Sequence, residues 1–396
     1  MTQKMPHLIS IRFKLCIVAA FDKRLSTRIR TVTLSRLLCF MSITLACTAG
    51  SLTAWSETAP AYTITPLADG LDQPWSIAKL DNGDYLVTEK PGRLLRLKAS
   101  GDIENITGVP AVYFASQGGL LDVVLHPNYA DNGWIYLSYA AGEPTNNRTH
   151  IVRAQLAGNS LINLEEILSV TDSKATAAHY GGKLAFLPDH TLIVGVGEGF
   201  SYREKAQQLG SELGKVLRIN DDGSVPADNP FPEVAPRVLS YGHRNPQGLL
   251  VLPSGQILMH EHGPKGGDEI NAIVLGKNYG WPAITYGLDY SGAVISPFTE
   301  APGMEQPLKY WVPSIGPSGL AVYQGDEFPD WQGQLLLGSL IDHDVRKLVL
   351  ENNQIVSEQR LFEELDQRIR DVRVFDDGAI MLVTDSGQVL RVTRQH

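Results

Sequence analysis

Asp377-Gly378-Ala379-Ile380-Met381-Leu382 puts a short polar turn directly before an apolar run, which is the chemistry of a β-hairpin entering a strand. The same pattern recurs as Asn82-Gly83-Asp84-Tyr85-Leu86-Val87, Asn132-Gly133-Trp134-Ile135-Tyr136-Leu137, Asp189-His190-Thr191-Leu192-Ile193-Val194, Ser254-Gly255-Gln256-Ile257-Leu258-Met259 and Gln332-Gly333-Gln334-Leu335-Leu336-Leu337. The turn positions are 83, 133, 190, 255, 333 and 378, and a repeat every few tens of residues is the mark of propellers and other arrays. Six copies predict an all-β chain folded as a six-bladed β-propeller. A large β-sandwich or a two-domain β protein is the alternative.

A second hairpin arm often follows the first, as in Pro91-Gly92-Arg93-Leu94-Leu95-Arg96-Leu97, Gly214-Lys215-Val216-Leu217-Arg218-Ile219 and Ser386-Gly387-Gln388-Val389-Leu390-Arg391-Val392. The nearest competitor for helical periodicity, Glu204 to Leu213, predicts one short helix or turn. Tyr62 to Leu67 is expected to pair with the C-terminal blade and close the ring, protecting its edges. The wide spacings between 190 and 333 predict long loops, where function concentrates.

The 396 residues are 43% hydrophobic, with 37 Gly and 23 Pro, which excludes a low-complexity or fibrous chain. All three cysteines, Cys16, Cys39 and Cys47, fall in the first 50 residues, so no disulfide framework, zinc site or thiol nucleophile is available to the rest. Basic residues up to Arg36, an apolar run from Leu37 to Cys47 and then small residues give the order of a secretory signal peptide. Residues 1–56 are therefore expected to serve export, with an uncleaved anchor as the alternative, and residues 57–396 to form the propeller domain.

That export segment holds eight of the 34 Lys and Arg but only one of the 43 Asp and Glu, so a net charge of −9 becomes about −16 without it. So acidic a body argues against nucleic acid or an anionic membrane as partner, because both need Lys and Arg against phosphate.

Four clusters break the strand pattern. His179-Tyr180-Gly181-Gly182-Lys183 precedes Gly195-Val196-Gly197-Glu198-Gly199, which offers a base on tight backbone with a carboxylate to orient it, or else a plain loop histidine. Tyr241-Gly242-His243-Arg244-Asn245-Pro246-Gln247-Gly248 gathers a guanidinium and two amides, fit for carboxylates and carbonyls or for satisfying loop backbone. Glu261-His262-Gly263-Pro264-Lys265-Gly266-Gly267-Asp268-Glu269-Ile270-Asn271, with Tyr279 beyond it, offers oxygen ligands for Ca²⁺ or an acidic surface loop. Arg368-Ile369-Arg370-Asp371 puts two guanidiniums side by side, which repel unless an anion bridges them. A ligand carboxylate, or a solvated rim, would relieve that repulsion.

Together and in this order the clusters resemble the soluble quinoprotein aldose/glucose dehydrogenases, also called glucose/sorbosone dehydrogenases. The resemblance runs from Gly70-Leu71-Asp72-Gln73-Pro74-Trp75 through Gln117-Gly118-Gly119-Leu120-Leu121-Asp122, Gly242 to Gly248 and His260 to Asn271, to Arg368-Ile369-Arg370-Asp371. It implies a six-bladed propeller that binds pyrroloquinoline quinone (PQQ) and Ca²⁺ at the top of its central channel and oxidises the anomeric hydroxyl of aldose sugars to lactones. By the same resemblance His179 is the general base and Glu198 its supporting carboxylate, where the family has Asp. Gln117 lies near substrate, and Arg244, Asn245, Gln247, Arg368 and Arg370 hold the cofactor. The carbonyls of Gly263 and Pro264 hold its Ca²⁺, and Glu269 and Tyr279 form a second calcium site.

A tricarboxylate such as PQQ needs local Arg and Ca²⁺ in an acidic protein, and the metal makes the quinone a better acceptor. One departure is that Ile341-Asp342-His343 stands where the family often has a Lys that meets the quinone. Further expectations are a periplasmic location and a membrane quinone or cytochrome as electron acceptor, with the oligomeric state open. The alternatives are a propeller that binds carbohydrate or a partner without turnover, and a calcium-dependent hydrolase of the lactonase type.

Overall fold

A computed structural model describes residues 61–395; the expected export segment, 1–56, lies outside the described residues. The described chain forms six four-stranded antiparallel sheets. Their first strands are Pro74–Lys79, Leu120–Leu125, Gly181–Phe186, Pro246–Val251, Pro317–Val322 and Ile369–Val374, defining blades one to six. Each first strand packs against the first strand of the next blade, and the sixth against the first, so these six line a closed ring. The fold is the expected six-bladed β-propeller.

Every repeated turn in the sequence is the hairpin between the first and second strands of one blade. The second strands, Tyr85–Glu89, Trp134–Glu143, Leu192–Val196, Ile257–Glu261, Leu335–Ser339 and Ile380–Thr384, each begin just after it. The turn residue takes a left-handed backbone every time, at φ of 88°, 68°, 85°, 76° and 76° for Gly83, Gly133, Gly255, Gly333 and Gly378. Glycine adopts that conformation without the Cβ clash that penalises other residues. Blade three alone uses a side-chain-bearing residue there, His190 at φ 65°.

The predicted closing strand is present: Tyr62–Ala68 pairs with Val389–Arg394 and completes blade six, whose other three strands come from the opposite chain end. Glu204 to Leu213 holds a short 3₁₀ helix, Arg203–Gln207, then an irregular segment.

The hydrophobic core is divided among the interfaces between neighbouring blades. Leu86 and Ile135 join blades one and two, Ile193 and Leu249 join three and four, and Val87 and Val383 join one and six. Period-two strands buried on both faces produce this arrangement, since each sheet is covered on each side by the next.

Along the ring axis the lining is charged. Lys183 Nζ lies 3.1 Å from Asp371 Oδ1, and Arg373 donates to Asp371 at 2.9 Å and to Asp122 at 3.0 Å, while Ser76 Oγ donates to Asp122 at 2.6 Å. These charges are paired as well as buried, which is the condition for keeping them out of water.

Candidate active site

Antiparallel pairing brings the start of each first strand to the same rim as the end of each second strand, opposite the repeated turns. Every site residue expected from the sequence except Tyr279 lies on this rim or in the loops that leave it; Tyr279 is on the segment that follows Asp268–Ile273, whose end pairs with Ile257 near the repeated turn. Gln117, His179, Arg244, Asn245 and Arg368 precede or open first strands, whereas Glu198, Gly263 and Pro264 follow second strands.

All six first strands carry a register shift here, at Pro74/Ser76, Leu120/Val123, Gly181/Leu184, Pro246/Gly248, Pro317/Leu320 and Ile369/Asp371. A bulge leaves an extra residue unpaired and re-aims its side chain. In blades four and six that residue is Gln247 or Arg370, and in blade one it is Trp75.

His179 and Glu198 meet as a buried pair, with Nδ1 to Oε1 at 3.1 Å. His179 sits at φ 50°, and its N–H donates to Gln117 Oε1 at 2.8 Å. With Nδ1–H directed to the carboxylate, Nε2 is left as the acceptor nitrogen. Burial holds the imidazole well below the ordinary histidine range, helped by the positive charges of Arg244 and Lys174. Burial also pushes Glu198 up to about 7, against the opposing pull of Arg244. Its Oε2 is buried without a hydrogen-bond partner among the described residues.

The expected cofactor residues gather around adjoining cavities. One of about 170 Å³ is lined by Gln117, Asn245, Gln247, Arg368 and Arg370, together with Lys90 and His262. A larger one of about 740 Å³ is lined by Gly263, Pro264, Lys265, Tyr290, Ile341 and Arg368, and shares His262 and Leu340 with the first. Arg244, Gly263, Glu269 and Tyr279 surround a third, of about 20 Å³.

An anion of the chain itself, Asp385, already stands between Arg368 and Arg370, beside whatever ligand carboxylate they also meet. Asp385 accepts from Arg370 Nε at 2.7 Å and from Arg368 Nε at 2.8 Å, so the guanidiniums coexist before any ligand arrives. One aspartate does not neutralise two arginines, and Lys90 adds a third cation to the same wall.

A tricarboxylate fits this wall. The buried Nε of Arg244 has no partner among the described residues. The nearby Asp268 is spent on the N–H groups of Gly263, Ile315 and Gly316, at 2.8, 2.8 and 2.7 Å. The calcium carbonyls fit with one adjustment. Among the described residues Pro264 O accepts the Ser314 hydroxyl, at 3.3 Å, and Gly263 O accepts Arg244 at 2.5 Å, so a cation would share that oxygen with the guanidinium or displace it.

At the second expected calcium site, Glu269 faces Glu261 across paired strands, and burial pushes Glu269 up to about 8. The Tyr279 hydroxyl is committed to Ala272 O and Val274 N–H, at 2.6 and 2.9 Å, so only its main-chain oxygen is open to a metal. No group of three His, Cys, Asp or Glu side chains among the described residues is placed to hold a metal, so calcium here would depend on main-chain oxygens.

Lys90, His262 and Asp385 were not singled out from the sequence. They stand at one offset, seven residues beyond the turns at 83, 255 and 378, and Gly197 and Leu340 hold the same place in blades three and five. The repeat register therefore contained the signal. Burial pushes the His262 imidazole down to about 4, and it bonds Pro317 O at 2.7 Å as a neutral donor.

Comparison with known proteins gives the family of the chain. Residues 71–391 match the family described as Glucose / Sorbosone dehydrogenase. The chain is 38% identical over 368 residues to the aldose sugar dehydrogenase YliI of Escherichia coli, covering 89% of this chain and 98% of that one. It is 32% identical over 250 residues to quinoprotein glucose dehydrogenase B of Acinetobacter calcoaceticus, covering 56% and 52%. The PQQ-bound structure of aldose sugar dehydrogenase from Streptomyces coelicolor superposes with a TM-score of 0.71 at 28% identity, covering 85% of this chain and 100% of that one. By fold, rim motifs and these relatives, the chain belongs to the glucose/sorbosone dehydrogenase family of oxidoreductases.

Proposed function

We propose that this sugar dehydrogenase oxidises the anomeric hydroxyl of aldoses to the lactone in the periplasm, using PQQ and Ca²⁺. The observation that carries the reading is the buried His179–Glu198 pair beside a cationic cavity that collects Gln117, Asn245, Gln247, Arg368 and Arg370. His179 Nε2 takes the O1 proton while Glu198 holds Nδ1–H and balances the imidazolium. A positioned base of this kind contributes roughly 10²- to 10⁴-fold. When bound, PQQ supplies the two-electron acceptor for the hydride leaving C1, with Ca²⁺ polarising it. Arg244, Arg368, Arg370 and Lys90 would hold its carboxylates, and the carbonyls of Gly263 and Pro264 would supply oxygens to the metal. A membrane quinone or a cytochrome then receives the electrons.

Reconstituting the purified protein with PQQ and Ca²⁺ and following dye reduction over a panel of aldoses tests this. Absence of both bound-quinone absorbance and dye reduction would sink the proposal, and lactone hydrolysis without PQQ would point to the hydrolase alternative. His179→Ala should retain the bound quinone and lose at least about 10²-fold in turnover, whereas Arg244→Ala should weaken quinone binding. Equal loss of binding in both would contradict the assigned roles.

A further inference from the structure

Phe200 and Tyr290 are exposed aromatic rings to which the chemistry above gives no task. Phe200 follows Glu198 and Gly199 on the loop that leaves the second strand of blade three, and it is 48% exposed. Its backbone is held at φ 67°, a region that penalises a bulky residue. Its ring lies edge-on to the His179 imidazole, with centres 5.1 Å apart. Tyr290, 60% exposed, lies beside Phe200 with ring planes 19° from parallel and centres 6.4 Å apart. The Arg244 guanidinium stands 5.8 Å from the Tyr290 ring and donates to its hydroxyl at 3.4 Å. The turn that carries Tyr290 is braced: Asp289 N–H donates to Ala293 O at 2.9 Å, and Leu288 pairs with Lys265 in both directions, at 3.0 and 2.8 Å.

Single exposed apolar side chains are ordinary on a protein surface, but these rings are not isolated. Leu288, Val312 and Ile341 are also exposed, and they line the cavity of about 740 Å³ that Tyr290 lines. Lys90 and Arg370 belong instead to the adjoining cavity, where a tricarboxylate finds its cations. An aldose carries no charge, and between its hydroxyls it presents C–H faces. Its O1 within hydrogen-bond reach of His179 Nε2 sets the sugar ring beside the groups that flank the imidazole, and Phe200 is one of them. An aromatic face packs against C–H groups and leaves the sugar hydroxyls free for polar partners.

We infer that Phe200 and Tyr290 are specificity-determining residues: together they form an aromatic wall on which an aldopyranose lays one C–H face while O1 meets the base. A sugar whose hydroxyls are all equatorial fits such a wall closely. An axial hydroxyl aimed at it loses water and gains no partner, which weakens binding.

This inference rests on the proposed sugar oxidation at His179, and one arm of its test needs no turnover. Saturation transfer by NMR from the aromatic protons of the full chain, without added cofactor, to glucose should be strongest at the C–H protons of one ring face. It should fall in Phe200→Ala and in Tyr290→Ala. In the PQQ- and Ca²⁺-loaded enzyme each Ala variant should raise KM for glucose about 5- to 10-fold, with kcat little changed and bound-quinone absorbance retained. Phe and Ala both carry a Cβ, so the backbone penalty at residue 200 is shared, and Phe200→Tyr, which keeps a ring, should restore the low KM. Mannose and allose carry axial hydroxyls on opposite faces of the ring. The parent should therefore disfavour one of them more than the other, and the double Ala variant should bring their kcat/KM values to within about twofold. A parental KM in both single variants overturns the proposal. So does a lower kcat at parental KM, which would assign Phe200 to holding the imidazole, or a loss of quinone affinity, which would assign the rings to the cofactor. Saturation transfer that depends on both rings in a protein that oxidises no sugar keeps the wall and rejects only the dehydrogenase role.

Discussion

Glu198 and His179 share one hydrogen bond, yet burial acts on them in opposite senses: it raises the carboxyl to about 7 and lowers the imidazole. Both shifts disfavour charge, the expected effect of removing either group from water. Turnover should therefore rise as pH increases through about 7, because only ionised Glu198 accepts Nδ1–H and balances the imidazolium. Glu198→Gln should flatten that limb and lower kcat on the order of 10- to 100-fold, measured as a pH profile of the reconstituted enzyme. Stability has the opposite sign. A carboxyl whose folded pKa lies above its unfolded value stabilises the fold at low pH and loses that contribution as pH rises from about 4.5 to 7. Glu198→Gln should therefore melt higher than the parent at pH 8 and close to it at pH 4, so a lower melting point at pH 8 would contradict this account of the burial cost. Among single residues, His179, Glu198 and the rim arginines were legible from motif order. Asp385 was legible only through the repeat register, because no motif marks it and its pairing with Arg368 and Arg370 follows from the hairpin that sets the end of the second strand of blade six beside the start of the first.

Among the elements, the recurring unit is a hairpin with a left-handed turn at one end and a bulge at the other. The turn wrote itself into the sequence because φ near 65–90° selects glycine. Its exception gives a prediction: His190→Gly should leave activity unchanged, since the turn lies on the face opposite the site, and should raise stability by up to about 1 kcal/mol in chemical denaturation. The bulge left no such mark, because Trp75, Gln247 and Arg370 share no residue type, and only the observed pairing shows them to be equivalent. Gly197 marks where blades three and four meet on the rim. A Cβ on it would lie 2.3 Å from His179 O and 2.9 Å from Asn245 Oδ1. Gly197→Ala should thus displace the base, costing about 1–3 kcal/mol of stability and most of the turnover; a variant with parental kinetics and melting temperature would show that the rim yields more easily.

For the whole molecule, closure is the decisive feature. Six interfaces between blades carry the hydrophobic core, so no ring position is fully covered until the last blade is in place. Pairing of Tyr62–Ala68 with Val389–Arg394 ties the two chain ends into one sheet. Removing residues 61–68 should expose the Val389–Arg394 edge, lower the melting temperature and promote association, read by thermal denaturation and size-exclusion chromatography. A truncated protein that melts like the parent and stays at the same elution volume would mean that the interfaces alone hold the ring. The charged axis of Lys183, Asp122, Asp371 and Arg373 closes the middle with buried ion pairs.

Read alone, the order of amino acids settled the number of blades, the closing strand and most of the rim, because backbone sterics at the turns and alternation along the strands are local and repeat in register. Which charges share a wall was settled by the folded chain. Lys90 and Asp385 acquire meaning through neighbours that come from other blades or other loops, and desolvation and Coulomb interaction depend on distance in space rather than along the chain.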